Sequence, residues 1–590
     1  MSSEASSDSS TVDQFLRSEV RQSVHRDADD LLSAGLGLAG LQAPPAAFAD
    51  PEKPTTAEAR RRAILQNWKG IADLSPLGGY GSTYGGVPSV PGREYSAFAL
   101  IPGATSPHRV LAQVPDQFDR KARCLVVSPA SGSRGVYGGI AVGGAWGLAR
   151  GCAVVYTDKG AGTGFFDLET GTGVALDGTR ATVDQQPLEF VSAGTGPGVA
   201  FKHAHSGDNP EADWGRHTLQ ALQFGLHALD LAFPEQAPFT PENTRIIGIG
   251  VSNGGGALLR AAELDQQRWF DAVIAGEPNI TPPNGRALLD YALEAAIYQP
   301  CAWYAAPKGP QLAFPQAMQA GAERRCRALV ERGMLHGDDL AAQSADALAR
   351  LRQSGWDEDA LSQMGVLVAI DVWRAVIATY LQSYARVGPD NPQCGYRFSE
   401  LGTDGQPKTS SAAVQALWWS DASGVAPTAN VAIVDGAAEG DDPTLPGLLC
   451  AQALRSADLA MAGPITTSIS QTLGNARPLS PRTLIVHGQQ DGLIPSRWAA
   501  HAYVEAAQAN GIRIPTYSVP HAQHFDAFLF LPSVSATQLP LLPYVYQAAD
   551  RAWASLTQGT PLPPSGVVKN RLREVAGEVI GAEHLGRIGE

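Results

Sequence analysis

Six cysteines are scattered through 590 residues without a single C-x-x-C pair, which removes zinc sites of the usual ligand spacing. Basic charge is also short. Lys and Arg total 44 against 58 Asp and Glu, for a formal charge of −14. Nucleic acids and anionic membrane surfaces both need basic patches, so neither is an expected partner. No apolar run has the length of a transmembrane helix. Residues Met1–Ser10 are Ser-rich and acidic, and they lack the basic segment and apolar core of a secretory signal. A cytoplasmic location is the expectation, with secretion as the alternative for a chain whose leader has been removed. Cys124 and Cys152 sit in apolar, strand-like runs, where a small buried thiol is the default. Cys301, Cys326, Cys394 and Cys450 are open to pairing.

What is present is an ordinary globular composition, 44% hydrophobic and 17% charged, in a chain long enough for a large core with an insertion. Residues 1–10 read as disordered and 12–34 as an amphipathic helix. A Pro/Ala-rich linker, Gln42–Pro54, then leads to the body. Apolar strand-like runs at Glu94–Ile101, Val110–Val114, Cys124–Val127 and Cys152–Tyr156 are followed by a strong helix at Gly215–Ala232. Two more strands precede Ser252 and span Phe270–Ala275. This alternation predicts a mostly parallel sheet flanked by helices. Residues 282–475 break the rhythm. They are helix-rich, with helices expected at Ala287–Tyr298, Pro315–Arg332 and Val366–Val387. Strand–helix alternation resumes at Thr483–Val486. The expected organisation is an arm at 1–57, a first core segment at 58–281, a helical cap at 282–475 and a second core segment at 476–590.

Gly250-Val251-Ser252-Asn253-Gly254 lies where an apolar strand gives way to a helix-compatible run. A serine in that turn is lifted above the sheet edge. With 63 glycines in the chain, the bare G-x-S-x-G pattern is expected by chance about 0.4 times, so its context decides. Asp491 follows directly on the strand that resumes the core, and His524 follows the short apolar segment Ser518–Pro520. Ser252, Asp491, His524 is the chain order of α/β-hydrolases. The chemistry demands these types. A serine hydroxyl is a poor nucleophile until an imidazole takes its proton, and the imidazole needs a carboxylate to fix its tautomer. His521 competes with His524, which lies further beyond the strand and precedes Phe525. Glu277, just after the strand at 271–275, is a second candidate for the acid. The oxyanion site calls for two backbone N–H groups, one from Asn253 and one from Ser131 or Gly132 in the Gly/Ser-rich loop after the strand at 124–127. The fold class expected is therefore an α/β-hydrolase core with a large cap inserted between nucleophile and acid, needing no metal and no organic cofactor.

Other features carry less. Arg134 is either a solvated loop residue or a partner for a substrate carboxylate. Trp418 and Trp419 either clamp an apolar substrate or pack the cap. His203, His205 and His217 with Asp208 and Asp213 suggest a metal site, but the Gly/Asn/Pro-rich interval between them favours a solvated loop. The run Gly254-Gly255-Gly256 costs helix propensity yet allows the helix to approach the sheet closely.

Five segments carry a resemblance to a known family: Ser128–Gly139 (SPASGSRGVYGG), Thr157–Gly164 (TDKGAGTG), Val251–Arg260 (VSNGGGALLR), Leu417–Gly424 (LWWSDASG) and His521–Leu529 (HAQHFDAFL). The chain resembles the D-(−)-3-hydroxybutyrate oligomer hydrolases, esterases that degrade polyhydroxybutyrate. The resemblance implies Ser252 as nucleophile and hydrolysis of short 3-hydroxybutyrate chains to the monomer, with the polyhydroxybutyrate granule surface as a further partner. Members of that family often carry a secretion signal, and this N-terminus does not. Tannases and feruloyl esterases share the hydrolase logic and a large lid, but join cysteines beside nucleophile and base in a disulfide. Here those neighbours are Val251 and Phe525, so such an esterase is the second expectation. A catalytically silent, granule-binding protein is the third.

Overall fold

The computed structural model describes residues 10–132, 134–196, 198–283, 285–306, 309, 315–421 and 428–590. Ten strands form one sheet: β1 (Arg21–His25), β2 (Gly92–Ala99), β3 (His108–Pro115), β4 (Cys124–Pro129), β5 (Ala153–Thr157), β6 (Arg245–Val251), β7 (Ala272–Gly276), β8 (Thr483–Gly488), β9 (Thr516–Val519) and β10 (Gly566–Val567). Their spatial order is β1-β2-β3-β5-β4-β6-β7-β8-β9-β10. The first three pairings in this order are antiparallel. From β5 onward every pairing is parallel. A parallel sheet is covered on both faces, so its strands read as unbroken apolar runs. Alternation along β4 and β6 sends Val126, Ile247 and Ile249 into one apolar layer and Leu125, Val127 and Ile246 into the other.

Helices cover both layers. α1 (Thr56–Ile71) opens with a capping box, Thr55 accepting from the Glu58 amide while the Glu58 carboxylate accepts from the Thr55 amide. α2 (Pro210–Ala232) and α3 (Asn253–Leu264), the latter following the nucleophile, pack on one face through Leu222, Phe224, Leu258 and Leu259. On the opposite face Val545, Ala548 and Ala552 are buried in the other apolar layer.

Between β7 and β8 the chain is mainly helical: α4 (Leu288–Ala302), α5 (Pro315–Glu331), α6 (Leu340–Gln353), α7 (Val372–Ala385), α8 (Leu445–Met461) and shorter pieces. The single helix expected over Val366–Val387 is broken at Asp371, whose φ of 52° ends one segment and starts the next. A small antiparallel sheet, Tyr396–Leu401 with Pro407–Lys408 and Ala432–Asp435, also lies here, where sequence periodicity indicated no strands.

Two further expectations are corrected. Residues 21–25 form an edge strand rather than part of a helix, because the open side of β2 offers a full antiparallel ladder from Arg21↔Ser96 to His25↔Gly92. The disorder expected for residues 1–10 falls almost wholly outside the described residues; Ser10 begins a short helix. The cysteines at 124 and 152 are not thiols. They are joined across the neighbouring strands β4 and β5 with a Cα–Cα distance of 4.6 Å. Cys301 joins Cys326, linking α4 to α5, and Cys394 joins Cys450 on α8.

Candidate active site

Ser252 occupies the turn between β6 and α3 with φ 56° and ψ −127°, a region that costs a non-glycine residue about 1–3 kcal/mol and must be held by its surroundings. The surroundings do hold it. The Ser252 amide donates to the Gly276 carbonyl at 2.8 Å, and the Ser252 carbonyl accepts from the amides of Gly256 and Asn279, each at 3.0 Å. The hydroxyl donates to Nε2 of His524 at 2.9 Å. Nδ1 of the same ring donates to Oδ2 of Asp491 at 2.8 Å. The other oxygen of Asp491 accepts from the amides of Leu493 and Ile494 at 2.9 and 2.8 Å. Asp491 is thus a buried carboxylate fixed on one side by backbone and on the other by imidazole, the arrangement that sets tautomer and orientation of a general base.

The two alternatives go separate ways. His521 stands apart, half-buried and interacting with Asp359. Glu277 converges on the triad, with Oε2 3.4 Å from Nδ1 of His524. Its carboxyl is pushed well above the usual range by burial and by the nearby charges of Asp491 and Asp526. Asp526 is itself raised to about 7 by burial, against amide hydrogen bonds from Leu541 and Leu542. Among the described residues, Glu277, Asp491 and His524 are the one group with the spacing of a metal site, and both ring nitrogens of His524 are already engaged by Asp491 and Ser252.

These residues open into a cavity of about 130 Å³. Ser131 and Gly132 line it beside Ser252 and Asn253. Asn253 is the first residue of α3, so its N–H is one of those the helix leaves unused. Much of the lining is apolar, with Leu288, Val372 and Val376 from the segment between β7 and β8 and Leu493, Ile494 and Phe525 from the core. The polar part of the lining comes from Lys159, His203 and Tyr380. Behind it Glu211 pairs with Lys159, and its Oε1 lies 3.0 Å from His203 Nε2. The Asn253 amide approaches Glu211 and Tyr380 at 3.4 and 3.3 Å. Burial alone would raise Glu211, but Lys159 and His203 outweigh it and hold its carboxylate at about 2.

Sequence reasoning did not single out Lys159, Glu211 or Tyr380; their link to the site passes through the Asn253 side chain and leaves no local pattern. Nor are the histidines near residue 203 in a solvated loop. His203, His205 and His217 are buried, because Lys202–His205 and α2 are helices packed in the interior. Arg134 is buried too and lines the cavity, its guanidinium donating to the carbonyls of Gln66 and Gly70 on α1. Burial lowers it to about 9. Trp418 and Trp419 are not among the lining residues. Trp418 packs edge-on against Phe165, and Trp419 lies against Tyr137 and beneath Arg109, so their apolar area is consumed in packing.

The sequence profile of the 3HB-oligomer hydrolases matches residues 1–585. The chain belongs to that family. It is similar to a D-(−)-3-hydroxybutyrate oligomer hydrolase of Cupriavidus metallidurans strain CH34, at 37% identity over 93% of this chain and 85% of the relative. A protein of the same name from Paracidovorax citrulli is 35% identical over 93% of this chain and 88% of its own length. Among solved structures, a tannin acyl hydrolase from Aspergillus niger aligns over 85% of this chain and 83% of its own, at 12% identity and a TM-score of 0.35. No helix among the described residues is long and apolar enough to cross a membrane.

Proposed function

We propose that the protein is a serine esterase that hydrolyses ester bonds of 3-hydroxybutyrate oligomers and releases 3-hydroxybutyrate. The observation that carries this reading is the unbroken relay from Ser252 through His524 to Asp491 at the wall of a largely apolar cavity, in a chain whose relatives bear that activity in their names. Ser252 Oγ attacks the ester carbonyl as His524 Nε2 takes its proton. The carbonyl oxygen becomes an oxyanion held by the N–H groups of Asn253 and of Ser131 or Gly132. Collapse breaks the C–O bond. His524 returns the proton to the departing alkoxide oxygen, and a 3-hydroxybutyryl ester is left on Ser252. Water, deprotonated by the same ring, repeats the sequence and frees the acid.

The helices between β7 and β8 act as a cap over the core. Leu288, Val372, Ala375, Val376, Thr379 and Tyr380 supply one side of the cavity, and the methyl groups of the polyester repeat suit that wall. A short chain fits this enclosure better than a granule surface, since Ser252 is only 8% exposed. Pairing of all six cysteines supports an oxidising location over the cytoplasm. The test is incubation of the purified protein with 3-hydroxybutyrate dimer and trimer. Monomer release by the wild type and none by Ser252→Ala is the expected result. An inactive wild type, or undiminished release by the variant, overturns the reading.

A further inference from the structure

Glu277 stands at the C-terminal end of β7, the strand between the nucleophile strand β6 and the acid strand β8. Its backbone is held in the left-handed region at φ 42°, with its amide donating to Val486 on β8 at 2.8 Å. For a residue with a side chain this conformation is uncommon and is sustained only by the surroundings. The turn out of the sheet coincides with a side chain that reaches the edge of His524 occupied by Asp491. Nδ1 therefore has two carboxyl oxygens beside it, at 2.8 Å from Asp491 and 3.4 Å from Glu277, and one proton to give. The shorter contact takes it. Oε1 of Glu277 is buried and has no hydrogen-bond partner among the described residues. An ionised carboxylate in that position would leave a buried charge unpaired, a costly state. Two carboxyls this close do not both ionise at neutral pH. Asp491, with two backbone amides and an imidazole N–H, keeps the charge, and the proton stays on Glu277. One ligand oxygen from each of the two carboxyls and a ring nitrogen of His524 lie within 4.8 Å of one another, so both carboxyls crowd the same edge of the ring.

We infer that Glu277 is a positioning residue for the triad, a second carboxyl on the Nδ1 side of His524 that substitutes for Asp491 as the histidine's carboxylate when Asp491 is neutralised. The inference rests on Ser252, His524 and Asp491 being the reacting triad. It acts through His524 and does not touch substrate.

The experiment uses p-nitrophenyl butyrate, so that turnover does not depend on the oligomer assignment. Activity in the wild type and its loss in Ser252→Ala establish the triad, and failure at that step sinks the triad reading itself. With the triad established, kcat is measured against pH for Asp491→Asn, Glu277→Gln and the double variant. Where no second carboxylate is present, neutralising the triad acid costs about 10⁴ in kcat. Here Asp491→Asn should lose less than about 10³, with residual activity that rises towards alkaline pH as Glu277 gives up its proton. Glu277→Gln alone should lose about threefold to tenfold, but more than about 30-fold when Asp491 is already Asn. The downfield proton resonance of His524 Nδ1–H should persist in Asp491→Asn and vanish in the double variant, a readout that mere loss of packing would not move. Equal cost of Glu277→Gln in both backgrounds, or a pH-independent residual, overturns the inference. So does a Glu277→Gln loss as large as that of Asp491→Asn, which would make Glu277 the acid itself.

Discussion

Gly254 on α3 is in van der Waals contact with Pro129 at the end of β4: a Cβ at position 254 would stand 2.4 Å from the Pro129 carbonyl oxygen and 3.2 Å from that of Ala130. The next residues are Ser131 and Gly132, so the glycine sets the distance between nucleophile helix and oxyanion loop. Gly254→Ala has to push one from the other. Losing a single oxyanion donor costs about 10²–10³ in kcat, and overpacking costs a further ~1–3 kcal/mol of stability. We expect kcat to fall by about 10–10³ with KM changed far less. Gly321→Ala on α5, where nothing lies within 4 Å of the added methyl, is the control and should gain up to ~1 kcal/mol from helix propensity. Steady-state kinetics with urea unfolding on both variants decide it; an unchanged kcat in Gly254→Ala removes the loop from the mechanism.

The pair Lys159–Glu211 is buried, with side-chain exposures of 2% and 8%. Breaking a buried pair from one side strands the other charge, at a cost of about 3–5 kcal/mol. Lys159→Met should lose stability on that scale and, by loosening the Asn253 amide, activity with it. Adding Glu211→Gln removes the stranded charge and should recover most of the stability. Chemical denaturation of the single and double variants measures this. A double variant as unstable as the single one would mean that the lysine acts through its stem rather than its charge.

Ser252, Asp491 and His524 were legible because each lies in the loop or turn that leaves a short apolar strand, and the strand-to-loop signal is local. Glu277 was legible as a candidate for the same reason. Its nearness to His524 was not, since that depends on β7 lying between β6 and β8, an ordering no single segment encodes. The Cys124–Cys152 bond was missed for a related reason: apolar runs identify two strands but do not say that they are neighbours. Strand β1 was mistaken for a helix because an edge ladder to β2 overrides a weak amphipathic period. The adjacent tryptophans marked only that something large is buried there, and Phe165, Tyr137 and Arg109 turned out to be what buries them.

The Cys124–Cys152 bond closes a loop of sequence separation 28, which corresponds to about 3.5 kcal/mol of denatured-state entropy in the chain-closure model. Both cysteines are essentially unexposed, so a reductant should leave the bond intact in the native protein and cleave it only on unfolding. The double variant Cys124→Ala/Cys152→Ala should unfold about 3–4 kcal/mol more easily. Thiol titration with and without denaturant, together with urea unfolding, checks both halves. Thiols that titrate in the native state would contradict the buried pairing.

His487, at the end of β8, offers a clean probe of acid sensitivity. Burial, reinforced by the neighbouring His501, lowers its ring to about 3. In the unfolded chain the same ring takes up a proton below its ordinary value of 6.5. Between those two values unfolding binds a proton that the native state refuses. Stability contributed by the neutral ring is therefore present above pH 6.5 and drains away as the pH falls towards 3. Phenylalanine keeps a flat ring of similar size and has no proton to bind. At pH 5 the wild type should have lost about 2 kcal/mol relative to His487→Phe, measured from the difference between the two at pH 7.5. The absolute cost of the substitution cancels in that comparison, and so do the other titrating groups if the variant leaves them in place. Urea unfolding of both proteins at the two pH values supplies the four free energies. If the gap between wild type and variant is the same at both, the ring is protonated in the native protein at pH 5 or its neutral form carries no penalty on unfolding, and burial at the end of β8 does not govern its charge.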